Sequence, residues 1–336
     1  MPYEIKGKSW PQITLGFSVH RPEMVPLTFS LMQRHDAIFL EEPPSADFSD
    51  MLQGAVSIDD YLRPLDMEYP EFSRRMCCRL RKLHTEGKVI VQVEPFLEVL
   101  LGIHDFFAEG HTPGDLPKDA IEYPVYLAER NATGALLAYY QSAVLGSFEE
   151  TLAAIIEFAR LDAARFRLRD SLRAQALAPL IRKNPSAYIE AGVIHYQLWQ
   201  LLRQKLPKQT RVMPVFLADF ALKKLKKTGH LYGPGDQLTL LYIFHPTISE
   251  TGKHRLLAAR SIIYAKMVEK EESEADAGAF PHLRDELDCI RATENLSLQG
   301  CRELFPLIRR SKTAEARQMV ADYLAGTGLR TRQYRN

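Results

Sequence analysis

The chain has 336 residues, of which 46% are hydrophobic, so it can build one large or two moderate domains with a substantial core. Its 43 basic and 42 acidic side chains give a formal net charge of +1, which argues against nucleic acid or an acidic membrane surface as a partner. No apolar run approaches the ~18 residues of a membrane span, and four cysteines without a CxxC pair predict no disulfide framework, so a cytoplasmic protein is expected.

Two predicted strands near the start of the chain are each followed by side chains that can do chemistry. Residues 12–16 and 36–40 are short apolar runs, typical of strands buried in a parallel sheet. His20 follows the first strand, and Glu41 and Glu42 follow the second. Because ligands bind outside the carboxyl ends of such strands, we expect the histidine and the glutamates to lie at one edge.

The third predicted strand, residues 88–93, repeats this pattern and ends at Glu94. Before it, residues 46–70 predict a crossover loop that can act as a lid, followed by an amphipathic helix over 72–83. Two short helices are predicted within the loop, at residues 48–53 and 58–62.

Residues 128–180 predict two long helices with a break near Gly146. Arg165, Arg169 and Arg173 fall on one face of the second helix. On spacing alone, a solvated face with Asp162 and Asp170 as its counterions is favoured over a site for anions.

The fourth predicted strand, residues 186–190, leads through a glycine turn to His195 and another helix. Residues 211–217 predict a fifth strand, in which Pro214 favours an edge position. The remainder is predicted to be mostly helical, at about 251–270, 281–294, 299–310 and 313–324. The sequence therefore predicts an α/β fold with a mainly parallel sheet flanked by helices, divided into an α/β core at 1–222 and a helical extension at 223–336.

The carboxyl ends of these strands gather a candidate site. Two imidazoles and a carboxylate, from His20, His195 and Glu41, are ligands suited to a divalent ion such as zinc, manganese or cobalt, which would activate water. Without metal, one histidine can act as a general base while the other histidine and an arginine stabilise an oxyanion. There is no HExxH, GxSxG, Walker or GxGxxG motif, so the corresponding enzyme classes lack support.

Each of these residues also has a structural interpretation. Histidines after strands often serve as hydrogen-bonded loop residues, and Glu41 or Glu94 can stabilise the start of a following helix. Because successive strand residues face opposite ways, only one of Glu41 and Glu42 is expected to face the site.

Three motifs in this order resemble the superfamily of Tiki, TraB, erythromycin esterase and ChaN proteins. The first is the glycine-to-histidine spacing from Gly16 to His20, and the second is Leu40-Glu41 at a strand end. The third is the segment AGVIH at 191–195. Arg169-Asp170 stands where family members carry a helical arginine element, although Leu168 replaces the acid that precedes it.

The resemblance covers about residues 11–217 and implies a parallel α/β core with a hydrolytic site. Its functional group would be His20, Glu41, Arg169 and His195. Family members cleave peptides with metal, hydrolyse esters without metal, or bind haem, so the resemblance alone does not select a reaction.

Three hypotheses remain open at this point. The leading one is a hydrolase acting on a small-molecule or peptide substrate, with catalytic candidates His20, Glu41, Glu42, Glu94, Arg169 and His195. The second is a binding module that holds haem or another anionic ligand in the same pocket without turnover. The third is an interaction scaffold that binds a protein partner through Lys223–Lys227 and the C-terminal helices.

Overall fold

A computed structural model of the chain describes residues 12–65, 67–272 and 279–326. Five strands form one sheet in which every pairing is parallel, in the order β3-β2-β4-β1-β5. The strands are β1 (Ile13–Ser18), β2 (Ala37–Leu40), β3 (Val89–Gln92), β4 (Ala187–Gly192) and β5 (Val212–Phe216). The predicted α/β fold is thus confirmed, and β5, the strand that contains Pro214, lies at an edge of the sheet.

Fourteen α-helices occur in the described ranges. The first seven are α1 (Val25–Met32), α2 (Phe48–Gln53), α3 (Ile58–Leu62), α4 (Pro70–Thr85), α5 (Pro95–Ala108), α6 (Glu122–Leu145) and α7 (Phe148–Lys183). The others are α8 (Tyr196–Lys205), α9 (Leu217–Lys224), α10 (Pro234–Phe244), α11 (Gly252–Met267), α12 (Pro281–Glu294), α13 (Leu298–Ile308) and α14 (Thr313–Gly326). The break between α6 and α7 falls at the predicted glycine.

One helix, α10, was not predicted. The segment 227–237 is rich in glycine and proline, a composition typical of turns. In the structure Pro234 occupies the first turn of α10, and Asp236 accepts a hydrogen bond from the N–H of Gly233 at 2.8 Å. Proline therefore begins this helix, as its missing N–H permits in a first turn.

The chain divides into two compact units. Unit 1 comprises the described parts of 1–101 and 169–220, and unit 2 comprises those of 102–168 and 221–326. In this division residues 102–168 group with the C-terminal helices. Within unit 2, Glu149 pairs with Arg255 at 2.7 Å and with Arg302 at 2.6 Å, and these contacts join α7 to α11 and α13.

The sheet of unit 1 has one apolar and one partly polar face. On the apolar face, Phe17, Phe39 and Ile189 belong to a core cluster with residues of α7 and α8. Tyr188 and Glu190 alternate with these residues along β4 and therefore point to the other face. Gly16 lies opposite Glu190 in the register, and a Cβ there would come within 2.1 Å of the Tyr188 hydroxyl oxygen. Glycine is therefore required at this position to make room for the tyrosine.

Candidate functional site

Charged side chains of unit 1 gather at the carboxyl edge of its sheet. Glu41 follows β2 directly, Glu94 lies two residues after β3, and His195 follows β4 after a short turn. The helix α7 adds Arg169, Asp170 and Arg173. We call these six residues the buried charge group. Parallel strands bring the first three to one edge, and the helical spacing of the last three places them on adjoining turns.

The imidazole of His195 is held between two carboxylates. Its Nδ1 lies 2.5 Å from Asp170 Oδ1, and its Nε2 lies 2.7 Å from Glu41 Oε1. The side chains of His195 and Glu41 are 3% and 7% exposed, and that of Asp170 is fully buried. Both ring nitrogens therefore have an acidic partner that fixes the orientation of the ring.

The local backbone supports this arrangement from both sides. The N–H of Gly192 donates to Glu41 Oε2 at 2.5 Å, and the N–H of His195 donates to the carbonyl oxygen of Gly192 at 3.1 Å. The second oxygen of Asp170 accepts from the N–H of Leu198 at 3.0 Å, in the first turn of α8. Asp170 therefore caps this helix and orients the histidine at the same time.

Two arginines of α7 lie against the carboxylates. Arg169 Nη2 is 3.5 Å from Glu41 Oε1 and 3.3 Å from Glu94 Oε2, and Arg173 Nη1 is 3.5 Å from Glu41 Oε2. Arg173 also donates from Nε to the carbonyl oxygen of Val93 at 2.9 Å. Glu94 Oε2 and Arg173 Nη1 are buried and make these ion pairs without well-formed hydrogen bonds.

Burial opposes charge on both Glu41 and His195, but their mutual attraction prevails. The charge and hydrogen bond of His195, helped by the two arginines, hold the pKa of Glu41 well below its usual range. Against the cost of burial, Glu41 and Asp170 raise the pKa of His195 to about 9. At neutral pH the pair is therefore a carboxylate and an imidazolium.

Glu42 points to the other side of the edge, away from this pair. Gln92 donates from Nε2 to Glu42 Oε2 at 2.9 Å, while Gln92 Oε1 accepts from the N–H of Ser45 at 2.9 Å. The Gln92 amide also lies 3.3 Å from the hydroxyl of Tyr61 in α3. Burial raises the pKa of Glu42, although the hydrogen bond from Gln92 and the charge of His20 oppose this. The two consecutive glutamates thus occupy different environments.

His20 lies on the side of Glu42 and Glu190. Its ring is partly exposed and sits 5.2 Å from the ring of Phe72, measured between centroids. Glu190 is only 4% exposed, and burial raises its pKa to about 7, with the charge of His20 opposing and Glu42 and Glu41 adding to the rise. The Oε2 atom of Glu190 also lies 3.4 Å from the backbone nitrogen of Glu41. Glu190 therefore lies between the group around His20 and Glu42 and the group around Glu41.

The structure brings together four of the six predicted site residues, namely Glu41, Glu94, Arg169 and His195. His20 and Glu42 adjoin them on the other side. Arg173 and Glu190 lie outside the group that the sequence predicts, and Asp170 is predicted there only as a counterion of the arginine stripe. The spacing of Asp170 and Arg173 from Arg169 along one helix was the available signal. Arg165 does pair with an acid as expected, since it lies 2.6 Å from Asp162 and 3.0 Å from Glu129, but its side chain is only 23% exposed.

The predicted metal ligands His20, Glu41 and His195 are not arranged around a common point. Among the described residues, no group of three or more His, Cys, Asp or Glu side chains is placed to hold a metal ion. Both nitrogens of His195 face carboxylates, and Glu41 uses one oxygen for the histidine and the other for the N–H of Gly192. The observed geometry therefore does not fit a metal site.

A comparison with known proteins shows that the chain has an archaeal relative. The chain is 30% identical over 277 residues to an uncharacterized protein of Archaeoglobus fulgidus, a match that covers 82% of this chain and 91% of the relative. No protein-family model and no solved structure matches the chain. Within the described ranges, no helix combines the length and apolar character needed to cross a membrane.

Proposed function

We propose that this chain, which belongs to the same family as the Archaeoglobus fulgidus protein, is a hydrolase. It would cleave a peptide or an ester with water at the carboxyl edge of the sheet in unit 1. The name of the relative states no activity, so the proposal is argued from the site. The observation that supports this proposal is the buried charge group. Buried ion pairs stabilise a fold no better than well-packed apolar residues, and groups with strongly shifted pKa values concentrate at functional sites.

The exposure of the group indicates where a substrate makes contact. The side chain of Arg169 is 15% exposed and that of Glu41 is 7% exposed, whereas those of Glu94, Asp170 and Arg173 are fully buried. A substrate therefore meets Arg169 and Glu41. In this proposal the guanidinium of Arg169 binds the carbonyl oxygen on which negative charge develops, and the buried members hold it in place.

The two histidines take different roles. His195 is already protonated at neutral pH and cannot accept another proton, so it holds Glu41 and contributes positive charge. His20 has no hydrogen bond to its ring from any described residue and is the more exposed of the two. We assign to His20 the removal of a proton from the attacking water, which is the role of a general base.

The proposal is tested with a panel of chromogenic esters and internally quenched peptides, assayed with and without added divalent metal. His20→Ala and Glu41→Gln should each lower kcat/KM by about 10²–10⁴-fold, the usual contribution of a general base or of a charge in the site. His104→Ala, which changes an exposed histidine of α5, is the matched control and should keep wild-type activity.

Circular dichroism of each variant separates loss of activity from loss of folding. If His20→Ala and Glu41→Gln both fold and retain wild-type turnover of a substrate, the assignment is wrong. Retention of haem or another anionic ligand in a fixed ratio without turnover would instead favour the binding module.

A further inference from the structure

Helix α6 leaves an apolar, uncharged face exposed to solvent. Leu137, Tyr140, Val144 and Leu145 are 61%, 55%, 52% and 72% exposed. Their spacing of three, four and one residues places them on one side of the helix. Residues 131–145 contain no charged side chain. Together these four residues form what we call the α6 stripe.

A glycine beside the stripe has no explanation within the chain. A Cβ at Gly134 would meet no atom within 4 Å, so packing inside the protein does not require glycine there. Glycine in a helix interior costs about 1 kcal/mol relative to alanine. Gly134 and Ala138 are both exposed and lie one turn apart next to Leu137. Small residues at this spacing let the backbone of another helix approach closely.

We propose that α6 packs against α6 of a second copy of this chain, in an antiparallel contact related by a twofold axis near Ala138. A twofold axis places a surface against itself, so a charged stripe would meet like charges, whereas an uncharged stripe does not. The α6 stripe exposes on the order of 500 Å² per copy, and two copies together reach the ~1,000 Å² that a specific interface needs.

The charges at the ends of the stripe also fit this arrangement. Arg130 lies eight residues before Ala138, or about 12 Å along the helix, and is exposed. The corner between α6 and α7 lies the same distance beyond Ala138, and α7 begins there with Glu149 and Glu150. In the antiparallel contact, Arg130 of each copy therefore approaches the partner's Glu150.

A membrane surface fits the stripe less well than a second copy does. Helices that lie on membranes carry lysine and arginine along their polar face to meet acidic lipid. The ends of the stripe carry both signs instead: Arg130 lies at one end, and Glu149 and Glu150 lie at the other, where Glu149 is already paired with Arg255 and Arg302. Its flanks thus favour a partner with both signs of charge, which a second copy supplies.

Sedimentation equilibrium of the full chain tests the proposal. The wild-type protein should associate to twice the monomer mass of 38.3 kDa. Leu137→Glu should raise the dissociation constant by at least ~100-fold, because it buries two unpaired like charges at the contact. Met319→Glu is the matched control, since it places the same charge at a 37% exposed position of α14 and should leave association unchanged.

Cysteine cross-linking tests the twofold axis without disturbing the stripe. Cys78 is the exposed free cysteine among the four, so Cys78→Ser provides the background. In that background, Ala138→Cys should form a disulfide-linked dimer on mild oxidation, and Ala321→Cys in α14 should not. A monomeric wild type, or a dimer that is unaffected by Leu137→Glu, overturns the proposal. A dimer that Ala138→Cys fails to cross-link overturns the antiparallel arrangement.

Discussion

Replacing Glu190 with glutamine should make unit 1 more stable above neutral pH. The carboxyl of Glu190 is buried at the end of β4, and its pKa is raised from 4.5 to about 7. The folded protein therefore holds a proton that the unfolded chain releases at lower pH. Stability from this group is fully present below pH 4.5 and is lost as pH rises through 7.

The size of the effect follows from the shift. Between pH 5 and pH 8 the wild-type protein should lose about 2 to 3 kcal/mol of unfolding free energy from Glu190, at about 1.4 kcal/mol per pKa unit. Glutamine keeps the shape and does not titrate. Its oxygen can still accept from the N–H of Glu41, a contact of 3.4 Å in the wild type. The unfolding free energy of Glu190→Gln, relative to that of the wild type, should therefore rise by about 2 to 3 kcal/mol from pH 5 to pH 8.

The measurement is urea unfolding at several pH values between 5 and 8, followed by tryptophan fluorescence. Trp199 lies in α8 and donates to the carbonyl oxygen of Val212 at 3.0 Å, so it reports on unit 1. Glu98→Gln, at an exposed position of α5, is the control and should change stability little at any pH. A constant difference between Glu190→Gln and wild type from pH 5 to pH 8 would refute the reasoning.

Three further results are expected. Asp170→Asn should destabilise the protein by about 1–3 kcal/mol, because an amide cannot accept from both His195 and the first turn of α8. The pKa of His195 should fall in this variant, since one of its two carboxylates is gone; an unchanged histidine titration by NMR would contradict the geometry. Gly16→Ala should cost at least about 1–3 kcal/mol by urea unfolding, because its Cβ would lie 2.1 Å from the Tyr188 hydroxyl oxygen. Gly192→Ala is its control: the nearest atoms to a Cβ there are at 3.6 Å, so equal losses in the two variants would count against the steric account. Elemental analysis of protein purified without a His tag should find far less than one equivalent of transition metal, because both ring nitrogens of His195 face carboxylates. A full equivalent would contradict this observed pairing.

The sheet was predictable because its strands are short apolar runs in a chain that alternates strands with helices. Four of the strands carry several Ile, Val, Leu or Phe residues, whereas β4 has only Ile189 of these and is recognised by the glycine turn and helix that follow it. The start of α10 was not recognisable in the same way, because Gly233-Pro234-Gly235 is also typical of a turn. The place of residues 102–168 in unit 2 depends on contacts between side chains far apart in the sequence, such as that of Glu149 with Arg302.

The candidate site was predictable where position along a strand decides the location of a side chain. Glu41 and His195 follow strand ends, and the parallel sheet brings them together. The importance of Asp170 and Arg173 could not be read from the spacing of α7, since Arg165 belongs to the same stripe and pairs with its own acids. What distinguishes them is burial: Asp170 and Arg173 are both 0% exposed. A sequence shows which residues share a helix face, but not where that face passes from solvent into the core.

The adjacent glutamates show why the chemistry of this edge depends on side-chain direction more than on residue type. Glu41 faces two arginines and an imidazolium, so it is ionised and is a weak base. Glu42 faces a neutral amide, and burial raises its pKa. A general base needs a pKa near the working pH, a condition that excludes Glu41, whose pKa is held well below its usual range, and His195, which is already protonated. Glu190 is only 4% exposed, whereas His20 is partly exposed, so the hydrolase proposal depends on His20.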